Sequence, residues 1–248
     1  MKITQTKGNI VNAKVFKPVQ YINVQGHSPA EDGPNDVQIR VRLISSDTGK
    51  VEDIIPSMNL SLLGEISSMN EGFYISDSSH FSVNVMLHPT SAIYLSNDKY
   101  LEIEVECEDS DMEITLYGIE NALIDKNFVC RYNKFYMAAG ELQKSFVVGQ
   151  NENLILPISS FEEVVLSYKN GSSCTFTAAE LEALMILKND IVCVSKCDQR
   201  YTGGLACDNV FGYETLFGLD VDGVDSFTIR RSEALTSFEI IMIDTIKD

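Results

Sequence analysis

The chain has no tryptophan, no C-x-x-C pair among its six cysteines, and no apolar run near the roughly 20 residues that span a bilayer as a helix. The cysteine spacing removes the common zinc sites, because Cys193 and Cys197 with Cys207 fit no structural zinc pattern. Residues 1–7 are polar and lack the apolar core of a secretory signal, so the chain is expected to be soluble and made without one. In that setting Cys107, Cys130 and Cys174 read, like the other three, as reduced and mostly buried thiols. Hydrolase and nucleotide motifs are missing too: no G-x-S-x-G elbow, H-E-x-x-H pair or P-loop occurs. The three histidines do not supply an acid/base set. His27 reads as part of a Gly/Pro loop, while His80 and His88 flank one strand and read as surface or edge residues. Lack of tryptophan weakens a sugar-stacking lectin, although ten tyrosines can still stack.

Basic charge is scarce as well. A net charge of −17 argues against a general nucleic-acid binder. Acidic residues are themselves absent before Glu31, whereas Lys2, Lys7, Lys14 and Lys17 all precede it. Residues 1–22 are therefore read as a basic N-terminal arm. Two readings stay open: contact with acidic lipid or nucleic acid, or a solvated first strand or tail.

What the chain does have is alternation. Val37, Ile39, Val41 and Leu43 are separated by polar residues, as are Leu101, Ile103 and Val105. Such segments bury one face of a strand and wet the other. Short strands recur with polar turns between them and leave no room for crossover helices, so the chain reads as all-β, a sandwich or jelly roll. The layout also repeats. Ile39 and Val165, Ile103 and Ile229, and Ile114 and Ile240 are each 126 positions apart, in matching strand-like runs. Two similar β-domains are expected, over 23–120 and 151–248, joined by a connector over 121–150. Asn170-Gly171 marks a tight turn. Thr177 followed by Glu180 has capping-box spacing and predicts one short helix over 178–187, in the second half only. The apolar run 238–243 reads as a strand buried on both faces.

One ligand cluster stands out. Asp220, Asp222 and Asp225 around Gly223 offer hard oxygen donors of the kind calcium takes. The alternative is an Asp-Gly hairpin turn with no metal.

Two tandem jelly-roll β-sandwiches of this length resemble the double jelly-roll major capsid proteins of icosahedral, membrane-containing bacteriophages of the corticovirus, tectivirus and finnlakevirus type. The likeness spans about 20 to 246. It rests on the paired layout, on the basic-aromatic stretch from Arg131 through Tyr132 and Lys134 to Phe135, and on the short helix after an early strand of the second half. The resemblance implies a structural protein rather than an enzyme. Three copies form a pseudo-hexagonal capsomer, capsomers tile a virion shell around an internal membrane, and no specific nucleic acid is bound. It also implies that the four lysines face membrane head groups or minor capsid proteins. The overall acidity departs from the family pattern, and the expectation that follows from it is calcium at Asp220, Asp222 and Asp225 screening neighbouring copies. A virion penton or spike, or a β-sandwich module binding a receptor or glycan, is the alternative.

Overall fold

The computed structural model describes residues 1–27, 36–68, 74–77, 80–125, 129–157, 161–181, 183, 216–232 and 237–246. They divide into two compact units, Met1–Arg131 and a second that begins at Tyr132.

Alternating side chains build the first unit. β2 (Ile10–Val15), β4 (Val37–Ser45) and β9 (Lys99–Cys107) bury every second residue over most of their length. Antiparallel pairing turns that alternation into layers. Val11 and Ile39 both stand opposite Val105, Ala13 and Val41 opposite Ile103, and Val15 and Leu43 opposite Leu101. β5 (Val51–Asn59) completes this sheet in the order β2-β9-β4-β5. The facing sheet runs β1 (Lys2–Lys7), β10 (Glu113–Ile119), β3 (Tyr21–His27), β7 (His80–Met86) and β6 (Tyr74–Asp77). β8 (Ala92–Ile93) and β11 (Ile124–Asp125) add a short parallel pair. Gly26 of β3 is required by packing: a Cβ there would lie 2.0 Å from Cζ of Phe81, whose ring closes the core at that end.

The second unit repeats the plan. One sheet is β12 (Val129–Met137), β19 (Phe238–Ile246), β14 (Asn153–Pro157) and β17 (Leu216–Asp220). The other is β13 (Gln143–Val147), β18 (Val224–Arg230), β15 (Glu163–Tyr168) and β16 (Ser173–Thr177). Setting β6, β8 and β11 aside, each unit shows eight strands among the described residues. The first, eighth, third and sixth form one sheet, and the second, seventh, fourth and fifth form the other. That is jelly-roll connectivity, present twice. The 126-residue spacing joins true counterparts: β4 with β15, β9 with β18, β10 with β19. The core of the second unit is aromatic, with Phe227 fully buried and stacked on Phe146 at 5.1 Å between ring centroids. β19 is buried on both faces, as its unbroken apolar run predicts: Ile240, Ile241, Met242 and Ile243 are all inside.

Three expectations are corrected. Residues 1–22 are not an arm; β1 and β2 lie there, each at the edge of a different sheet. Residues 121–150 are not a connector, since β12 and β13 are the opening strands of the second jelly roll. Half-buried Arg131 and exposed Lys134 and Tyr136 along β12 hide its alternation. Nor is the helix confined to the second half. α1 (Leu60–Ser68) follows β5 directly. Its cap is Asn59, whose Oδ1 accepts the N–H of Ser61 at 2.9 Å and of Leu62 at 3.3 Å. The counterpart after β16 opens at 178–181, where Thr177 and Glu180 form the reciprocal capping box: Thr177 N–H donates to Glu180 at 2.8 Å, and Glu180 N–H donates to Thr177 Oγ1 at 3.2 Å. Most of its continuation to 187 lies outside the described residues.

Arg231 fastens the opening turn of the second unit. Its Nε donates to the carbonyl of Glu141 at 2.7 Å, a terminal nitrogen donates to Ala138 at 2.6 Å, and the guanidinium lies over the Phe238 ring. The side chain is buried, so Arg231→Ala removes the donor to the Glu141 carbonyl and one of two donors to that of Ala138, which also accepts the N–H of Glu141, and should cost about 1–3 kcal/mol in urea unfolding. Its neighbour Arg230 makes only a half-exposed ion pair with Glu163, and Arg230→Ala should cost under about 1 kcal/mol. In the first unit Asn59→Ala should cost about 1 kcal/mol through the lost cap.

Candidate functional site

The four lysines are divided between two strands and the segment that follows them. Lys2 and Lys7 belong to β1, Lys14 to β2, and Lys17 follows β2. Lys7 pairs with Asp111 at 2.9 Å, and that hydrogen bond holds its ammonium above the ordinary lysine range. Lys2 donates to Gln5. Lys14 lies over the Tyr100 ring, 4.9 Å from its centroid. The sequence signal for strands here is the buried set Val11, Ala13 and Val15, which outweighs the charge.

Asp220, Asp222 and Asp225 sit at the β17–β18 turn, all exposed. The carboxylate of Asp220 accepts the N–H of Asp222 at 2.9 Å, and Gly223 takes a φ of 75°. This is the Asp-Gly turn, with one carboxylate already used to shape the chain. Asp220 and Asp222 line an open depression of about 440 Å³ with Glu152 and Lys169. Among the described residues no three His, Cys, Asp or Glu side chains are arranged to hold a metal ion.

The histidines have different fates. His27 is not in a loop but ends β3, paired in register with His80, which opens β7; both are exposed. His88 is not a surface residue. Its imidazole is buried, and Nδ1 accepts the N–H groups of Thr90 at 3.2 Å and Ser91 at 2.9 Å. The ring is thus neutral with its proton on Nε2, which faces Asp125 at 3.7 Å. Burial holds its pKa below the ordinary 6.5, against the opposing pull of Asp125.

Some of the exposed large apolar side chains lie on or beside the opening strands of each unit, others on β5, β10 and β11. Ile10 lies on β2 and Phe16 just beyond it; Tyr136 lies on β12, and Val147, 73% exposed, on β13. β1, β2, β12 and β13 are all edge strands. Edges with apolar side chains are sites where another chain can pair or pack. Sequence reasoning did not single these residues out, because their exposure depends on which strand ends up at an edge.

No family model matches this chain, and no curated protein matches it. Solved structures do. The chain is similar to the major capsid protein P2 from bacteriophage PM2, with a TM-score of 0.60 and 9% identity over 100% of this chain and 95% of that one. It is similar to a chain of Sulfolobus Turreted Icosahedral Virus at a TM-score of 0.56 and 12% identity, over 99% of this chain and 88% of that one. It is also similar to PBCV-1 VP54, as fitted into a reconstruction of the virophage Sputnik, at 0.52 and 8% identity over 99% and 92%. The fold shared with these proteins is the double jelly roll.

His88 generates a pH prediction. A buried imidazole whose folded pKa lies below its unfolded value contributes stability that is complete above 6.5 and is lost as pH falls from there. Chemical unfolding from about pH 7.5 to about pH 5.5 should show wild-type stability falling, with a flatter profile in His88→Gln.

Proposed function

We propose that this chain is a major capsid protein, a structural subunit of a virion shell rather than an enzyme. The observation that carries this reading is the near-complete, two-way coverage by viral capsid proteins of a fold that occurs here twice in one chain. Two jelly rolls in each of three copies give six similar sandwiches, the basis of a pseudo-hexagonal capsomer. The exposed apolar residues on β2, β12 and β13 supply contact surface for association between copies. The proposal extends to an icosahedral shell around an internal membrane, with Lys2, Lys7, Lys14 and Lys17 on the strands nearest head groups or minor capsid proteins. Each lysine near an anionic surface would add about 1 kcal/mol.

Light scattering on the purified protein tests the association. The expected mass is three times the 27.6 kDa of one chain, or a multiple of that trimer. Val147→Asp or Phe16→Asp should shift the population toward monomer, since each puts a charge on an apolar edge. A wild-type monomer at every concentration and salt tested would contradict the proposal.

A further inference from the structure

His27 and His80 stand directly opposite each other on adjacent antiparallel strands. Their rings stack with centroids 4.0 Å apart and planes 18° from parallel. In-register residues project from the same face of a sheet. On the other flank of His27, Glu113 of β10 is its register partner. These three side chains line an open depression of about 360 Å³ together with Gln25, Ser82 and Thr115. The core does not use this end of the face: the alternate residues Val24 and Val83 point inward, while both histidines are exposed.

The two imidazoles thus lie side by side on one face of the sheet. The Cβ–Cγ torsion of histidine is broad, so a modest rotation of each ring costs little. Such rotation brings one nitrogen of each ring to the 2.0–2.1 Å at which imidazole binds zinc. Imidazole also suits the neighbouring late transition metals, whereas calcium prefers oxygen. Glu113 accepts a hydrogen bond from Gln5 and supplies a fixed negative charge beside the pair.

We propose that His27 and His80 form a two-histidine chelate for a divalent transition metal such as Zn²⁺, with Glu113 as the adjacent counter-charge and water completing the coordination. The site lies within the first jelly roll, so it stands or falls independently of the capsid reading.

Isothermal titration with Zn²⁺ alone tests it, on the full chain in the oligomeric state in which it purifies. The wild type should take up one equivalent per chain through this pair. His27→Gln and His80→Gln should each weaken that uptake at least about tenfold, the lower end of what losing even an outer-shell partner costs. A second readout needs no variant. The chain has three histidines, so Zn²⁺ should shift two sets of imidazole proton resonances in the wild type and leave the third in place. Equal affinity in either variant, no uptake by the wild type, or a shift of fewer than two histidines would overturn the proposal.

Discussion

Late strands wedged between early ones hold both sandwiches together. β10 lies between β1 and β3, and β9 between β2 and β4; in the second unit β19 and β18 take the same places. No sheet is complete until the far end of its own unit has returned. Closing such long loops precedes the contacts that stabilise them, which places the fold among slow, non-local topologies. The same constraint fixes register. Val105 faces Val11 on one side and Ile39 on the other, so a slip of one residue would turn two buried layers toward water. It also decides the edges. Whatever inserts centrally leaves the opening strands outermost, and these carry exposed Ile10, Tyr136 and Val147 together with Lys2, Lys7 and Lys14.

Energetically the two faces of each sheet do different jobs. Inward layers such as Ala13, Ile103 and Val41 supply the hydrophobic stabilisation. Outward, Arg42 bridges Glu102 at 2.9 Å and Glu104 at 3.5 Å, and Arg40 pairs with Asp53 at 2.8 Å. Partly exposed pairs like these contribute little to stability. They do neutralise part of an acidic surface. A chain at −17 repels its own copies, so association between subunits is expected to strengthen as salt screens that charge.

Much of this was legible in the sequence where one face of a strand is dry. The alternation in β4 and β9, the unbroken run of β19 and the spacing between counterpart strands carry the double jelly roll directly. Thr177 and Glu180 announced their helix because a capping box is local chemistry. α1 is harder to read, because Leu60 to Leu63 is short and mostly apolar and suits a strand as well, although Asn59 with Leu60, Leu63 and Ile66 holds the helical signal. β1 and β2 were obscured by lysines, and β12 by charged and aromatic residues on its wet side. Edge strands show weak alternation, since only one neighbour and one face constrain them. The His27–His80 pair was illegible for a different reason: residues 53 positions apart meet only through β3–β7 register, which composition does not encode.

Electron cryo-microscopy of the purified oligomer tests the central claim most directly. The expected result is a particle with one threefold axis and six similar β-sandwich densities, two from each chain. Density for a single undivided sheet per chain, or an oligomer without threefold symmetry, would contradict it.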